Sequence, residues 1–222
     1  MTFPVASTAK NDWLIPAGLI TLSLIPAIAG TMRMFQLGSG AQITPENARF
    51  FAAPLPVMLH IPSAVLYCVL GAFQFSPGLR RRKPNWHRAA GRILIPCGLL
   101  AALSGLWMTQ FYPHIKFDGP ALYTVRLLAG SAMALFLCLG LAAILRRDIS
   151  NHQAWMMRGY ALGLGAGTQV FTHIPSFLFP SLQGELARTL AMGAGWAINL
   201  AVAEWFISRG RRRQLSYVPA SV

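Results

Sequence analysis

Six long apolar stretches, separated by short polar segments, follow one another along the chain. Each exceeds the roughly 20 apolar residues that a helix needs to cross about 30 Å of hydrocarbon. Because lipid offers the backbone no hydrogen-bond partners, segments that cross it form helices. The pattern predicts an all-α polytopic membrane protein with six transmembrane helices, at 13–35, 54–78, 91–112, 120–145, 154–179 and 187–208.

The composition agrees with lipid as the solvent of this chain. Of the 222 residues, 55% are hydrophobic and only 11% are charged, whereas soluble domains average about 25% charged residues. The mean hydropathy is +0.49. We therefore expect a single transmembrane domain over 1–222, with a basic cytoplasmic tail at 209–222.

The basic residues are concentrated in alternate connections between the apolar stretches. The net charge is +13, and 14 of the 19 Lys and Arg lie on the side that holds the loops 79–88 and 146–152 and both termini. A basic soluble protein would indicate nucleic acid, but the positive-inside rule accounts for this distribution. We predict a multi-pass protein of a bacterial-type inner membrane, with cytoplasmic termini and no nucleic-acid partner.

A weak internal repeat has an offset of 66 residues. The segment 79–81 matches 145–147, and Arg92 matches Arg158. Two explanations stay open, because positive-inside selection alone enriches arginine in both loops. If the repeat is a duplicated two-helix hairpin, helices 2–5 form a pseudo-symmetric four-helix core.

Four histidines are distributed between the two predicted faces of the membrane. His60 and His173 lie towards one face, each within the tetrapeptide His-Ile-Pro-Ser, and His87 and His152 lie at the other. His152 and His173 are 21 residues apart, which is about 31 Å along a helix. This placement is typical of two stacked haems with paired histidine ligands to the iron, so we predict haem b held by these four residues.

Three arginines accompany the histidines and are suited to haem propionates, because guanidinium groups pair with carboxylates. They are Arg92, Arg126 and Arg158. The first functional hypothesis is therefore a haem b-binding transmembrane electron-transfer protein. Its partners beyond the lipid bilayer would be a quinone or another redox partner.

Simpler explanations of the same residues remain open. His87 and His152 are also typical of interfacial residues that bind anionic lipid, and His60 and His173 of caps on proline-broken helices. Arg126 lies some turns inside a span, where charges usually face a cavity. The alternative function is a non-redox transporter or small-molecule-binding protein with a polar cavity around Arg126 and the histidines.

The chain contains no Ser-His-Asp arrangement, paired catalytic carboxylates, phosphate-binding loop or His-Glu-x-x-His motif. Hydrolase and phosphoryl-transfer functions therefore have no local support. Whether the protein is an enzyme is left open, and a structural or assembly subunit is a third possibility.

Two motifs resemble a bacterial membrane family called domain of unknown function 2306. The first comprises 71–75, Leu79-Arg80 and 87–92, and the second is His152-x-x-Trp155-Met156-x-Arg158-x-Tyr160-Ala161-Leu162. The resemblance covers roughly 50–180 and implies a membrane topology rather than an established activity. It also implies that five of these residues define the family: His87, Arg92, His152, Trp155 and Arg158. A looser similarity to two-haem transmembrane cytochromes b rests on six spans and paired histidines.

Overall fold

The computed structural model describes the backbone of residues 11–215 and the side chains of residues 12–212. This part of the chain is helical and contains no strand. Short 3-10 turns lie at Asn11–Trp13, Phe73–Phe75 and Pro180–Leu182. The α-helices are α1 (Leu14–Ser39), α2 (Ala48–Ala52), α3 (Pro54–Ala72), α4 (Pro77–Arg82), α5 (Pro84–Phe111), α6 (Pro120–Leu145), α7 (Ile149–Gly163), α8 (Gly165–Thr172), α9 (Ile174–Leu178) and α10 (Glu185–Leu215).

Proline begins four of these helices, α3, α4, α5 and α6. The first helical residue has no N–H partner within its helix, and proline supplies the required φ angle, so it is favoured there. Helix α5 begins at Pro84, before the predicted start at 91. The basic segment after this proline is therefore part of the helix.

Five helices of the described chain are long and apolar enough to cross a membrane. They correspond to five of the six predicted spans, and they confirm an all-helical, multi-pass membrane protein. The fifth predicted span, 154–179, differs: it lies in three successive helices, α7, α8 and α9. The structure therefore corrects the prediction of one unbroken helix there.

The interruptions of this segment fall at Leu164 and His173. At Leu164 the backbone has φ −73° and ψ −5°, and the N–H of Gly167 donates to the Leu164 carbonyl, a tighter turn than the α-helix makes. The nearby glycines permit close packing on both sides. A Cβ at Gly167 would overlap the Leu22 carbonyl of α1, and one at Gly165 would overlap the Trp196 ring of α10.

Helix α10 covers the interrupted segment with polar contacts. The Asn199 amide donates to the Ala161 carbonyl at 3.0 Å and accepts from the Thr168 hydroxyl at 2.7 Å. The Gln169 amide donates to the Met192 carbonyl at 3.1 Å. Such contacts keep an irregular backbone away from lipid, where unpaired polar groups are costly.

The central buried cluster draws on helices from the second to fifth predicted spans. Its largest members include Tyr67 of α3, Leu137 of α6 and Tyr160 of α7. The Tyr160 hydroxyl donates to the Cys68 carbonyl at 2.6 Å, which joins α7 to α3. The pseudo-symmetry of these helices stays a prediction.

The connections meet at the two ends of the bundle. At the first, the Tyr112 hydroxyl donates to the Ala53 carbonyl at 2.6 Å, and Arg188 of α10 contacts Asp118 at 2.7 Å. We call this the Asp118 end. At the opposite Asp148 end, named for the residue that caps α7, the last turns of α10 contact the α6–α7 connection through Arg211 and Asn151.

Candidate ligand-binding cavity

A cavity of about 380 Å³ lies within the bundle, between α3, α5, α6, α7, α8 and α10. It extends from Arg49 and Tyr112 at the Asp118 end to Tyr67 and Gly163 in the centre. Its walls are mostly apolar. This volume falls in the range of small-molecule sites, about 300–1,000 Å³.

Small residues on facing helices create the space. They recur on five helices, α3, α5, α6, α7 and α8, and keep these helices from filling the centre of the bundle. The small lining residues are Ala64, Ala101, Ala102, Gly105, Ala129, Gly130, Gly163 and Ala166.

We call the part of the cavity at the Asp118 end its mouth. Arg126 lines the cavity there and forms an ion pair with Asp118. The two Nη atoms contact the two carboxylate oxygens at 2.8 and 3.3 Å. The same carboxylate accepts from Arg188 Nε at 2.7 Å. The Asp118 side chain is only 4% exposed. Burial raises the pKa of this carboxyl, but hydrogen bonds and charges from Arg126 and Arg188 outweigh burial, so the pKa lies below its ordinary value.

Arg49, on the short helix α2, is the second arginine at the mouth. Its Nε is buried and has no hydrogen-bond partner among the described residues. Its guanidinium lies 4.7 Å from the centre of the Phe50 ring, and so does that of Arg33. Burial lowers the pKa of Arg49; Asp118 opposes this effect, whereas three neighbouring arginines add to it. The arginines at the mouth therefore carry more positive charge than the single carboxylate of Asp118 balances.

His60 lies on the cavity wall, with its orientation fixed by α5. Its Nδ1 is 2.9 Å from the Ala101 carbonyl and 3.2 Å from the Ser104 hydroxyl. Because a carbonyl only accepts, Nδ1 carries the proton and Nε2 is left as an acceptor. His60 and Arg126 are therefore two predicted site residues that the structure brings to one cavity.

The other three predicted histidines lie outside the cavity lining. His173, at the second interruption, donates from Nδ1 to the Gln169 carbonyl four residues earlier, at 2.7 Å. His152 donates from Nδ1 to the Gly140 carbonyl at 2.8 Å. His87 has a buried Nδ1 with no partner among the described side chains and backbone, and it lies within electrostatic reach of His152 and Arg80. His87 and His152 therefore both lie at the Asp148 end.

The predicted propionate-binding arginines are in different situations. Arg158 contacts both Glu204 oxygens, at 2.5 and 2.9 Å, and lies over the Trp155 ring. Arg126 contacts Asp118, and Arg92 is exposed. Two of the three therefore already pair with carboxylates of the protein. In the described part of the chain, no group of three or more His, Cys, Asp or Glu is placed to hold a metal ion.

Arg49, Asp118 and Arg188 were not predicted from the sequence as site residues. They lie on α2, the α5–α6 connection and the start of α10, so no local spacing relates them. The available signal was sparse: each is a charged residue beside a predicted span end on the less basic face.

The fold and the cavity define a polytopic helical membrane protein with an arginine-lined internal site. The chain belongs to the family described as predicted membrane protein (DUF2306), whose sequence profile matches residues 57–207. The match contains both sequence motifs and confirms that resemblance. No curated protein and no solved structure matches the chain.

Proposed function

We propose that this protein binds a small molecule in the cavity, as a non-redox transporter or small-molecule-binding membrane protein. The observation that carries the proposal is the mostly apolar cavity of about 380 Å³ with Arg49, Arg126 and His60 in its lining. Concave apolar sites with a few convergent polar groups are the usual form of ligand sites.

The interrupted segment favours the transporter form of this proposal. Gly163 and Ala166 flank the interruption at Leu164 and line the cavity. Irregular backbone at membrane depth is tolerated where it lines a cavity, and discontinuous helices often form transporter binding sites.

Filling the cavity should abolish binding. The Ala166→Leu variant places a larger side chain at a position of α8 that lines the cavity, whereas Ala201→Leu makes the same change at a position of α10 outside the lining. In nanodiscs, a bound ligand raises the Tm by mass action. With decanoate, decanol and decyl phosphate as probes, we expect at least one to raise the Tm of the wild type and of Ala201→Leu, but not of Ala166→Leu. Equal shifts in all three proteins, or none in the wild type, would overturn the proposal.

We further infer that α7, α8 and α9 together make the sixth crossing, with both termini cytoplasmic in a bacterial-type inner membrane. As one continuous helix, Ile149 to Leu178 would be about 45 Å long at roughly 1.5 Å per residue, which exceeds the roughly 30 Å of hydrocarbon and leaves length for the two interruptions. The basic loops at the Asp148 end support this orientation under the positive-inside rule.

Thiol labelling tests the orientation. In a chain from which Cys68, Cys97 and Cys138 have been replaced, Lys116→Cys and Arg146→Cys each place one exposed thiol at opposite ends. In intact cells, a membrane-impermeant maleimide should label only the Lys116→Cys protein, and permeabilisation should expose the other. Labelling of Arg146→Cys in intact cells would contradict the orientation.

Haem b binding is the second candidate function. Three of the predicted ligands, His60, His152 and His173, place Nδ1 against a backbone carbonyl. Metal-ligating histidines usually donate the second ring nitrogen in this way, which leaves Nε2 for the metal. Electron transfer with a quinone or redox partner depends on this haem.

An absorption spectrum decides the haem proposal. If haem b is bound, dithionite reduction of protein from haem-replete cells should produce a b-type difference spectrum that is lost in His152→Ala. A colourless preparation with a negative pyridine haemochrome assay would exclude it.

A further inference from the structure

We infer that the occupant of the cavity is an amphipathic anion, with an oxyanion head at Arg49 and an apolar body along α3, α5 and α6. The inference rests on the proposed binding function and specifies its ligand class. Its basis is the unequal distribution of charge and polarity along the cavity.

Positive charge is in excess at the mouth. Arg126 and Arg188 share the single carboxylate of Asp118, and Arg33 donates to the Gln36 side chain, which is neutral. The other two acidic residues at this end, Glu46 and Glu185, are exposed to solvent. Arg49 therefore has no carboxylate of its own among the described contacts.

Arg49 also has an unused hydrogen-bond donor. Its Nε is buried without a partner in the described structure, although the side chain lines the cavity. A buried donor left unpaired carries a substantial energetic cost. An oxyanion in the mouth would accept from the Arg49 guanidinium that lines the cavity and would offset the excess charge, because guanidinium groups are well suited to carboxylates and phosphates.

The deeper cavity favours an apolar body. Beyond the arginines, its wall consists largely of alanine and glycine, with Met133 and Leu162 towards the centre. Three polar side chains of the lining, His60, Gln169 and Thr109, each already donate to a backbone carbonyl. A fully polar ion would leave this surface unfilled, whereas a hydrocarbon chain or ring would remove it from water.

Matched ten-carbon probes test the charge of the ligand. In nanodiscs, decanoate should bind wild type more tightly than decanol, and Arg49→Gln should weaken decanoate binding by about tenfold to a hundredfold, the usual effect of losing a charged hydrogen bond. Lys116→Gln, an exposed basic residue at the same end, should retain wild-type affinity. Circular dichroism verifies that each variant is folded. Because Lys keeps the charge but lacks the planar guanidinium that pairs with both oxygens of an oxyanion, Arg49→Lys should also weaken binding and serves if Arg49→Gln does not fold.

The outcomes separate this inference from the proposed function. If decanol binds as tightly as decanoate, or if Arg49→Gln changes neither affinity, the anionic head is wrong. The proposed binding function still stands in that case if Ala166→Leu abolishes binding of the probes. If no probe shows binding sensitive to Ala166→Leu, the binding function itself fails. Decyl phosphate distinguishes two sources of the anion. Tighter binding of decyl phosphate than of decanoate indicates that the mouth binds a lipid phosphate, and the reverse indicates that it binds a free carboxylate. Both preferences support the inference.

Discussion

Replacing Asp118 by Asn should destabilise the protein by about 3 kcal/mol, the lower part of the range for breaking a buried ion pair. The neutral amide would leave Arg126 and Arg188 without their shared counter-charge beside Arg49. The two arginine side chains are 24% and 28% exposed, so water reduces the cost but does not remove it. The measurement is the free energy of unfolding in detergent micelles.

Asp148→Asn is the matched control for this prediction. Asp148 is exposed and caps α7 by accepting from the Asn151 N–H. Because Asn caps helices about as well as Asp, stability should remain near that of the wild type. Similar losses in both variants would show that Asp118 has no special role in joining the α5–α6 connection to α6 and α10.

The same ion pairs predict a dependence of stability on pH. The pKa of Asp118 is lowered in the folded protein, compared with about 3.9 in an unfolded chain. Its contribution is therefore fully present above about pH 3.9 and is lost as the pH falls through the lower, folded value. Wild type should lose stability in that acidic window, and Asp118→Asn should lack this part of the loss.

The positions of most of the long helices were predictable from the sequence, because hydropathy indicates which segments are apolar enough for lipid. Five of the predicted spans are long apolar helices, and the family motifs flank the basic loops. The interruption at Leu164 was not predicted, although Gly163, Gly165 and Gly167 beside it were the available signal. The interruption depends on tertiary contacts: Asn199 of α10 reaches the Ala161 carbonyl, and Gly167 lies against α1.

The candidate site was predictable only in part. Arg126 and His60 were predicted as site residues because polar groups inside spans are costly and usually face a cavity or a partner. Arg49 and Asp118 lie in connections, where charged residues are ordinary, and only the folding of α2 against the α5–α6 connection gives them a common position. The balance of charge at the mouth is therefore a property of the tertiary structure.

Gly167→Ala should destabilise the protein by about 2–3 kcal/mol, through overpacking of α8 against α1. The new Cβ would overlap the backbone carbonyl of Leu22, which cannot turn aside as a flexible side chain can. Gly18→Ala on α1 is the control, since nothing lies within 4 Å of its added Cβ. There the helix gains up to about 1 kcal/mol from alanine. The two substitutions should therefore change the free energy of unfolding in opposite directions, and a stabilising Gly167→Ala would contradict the close approach of α8 to α1.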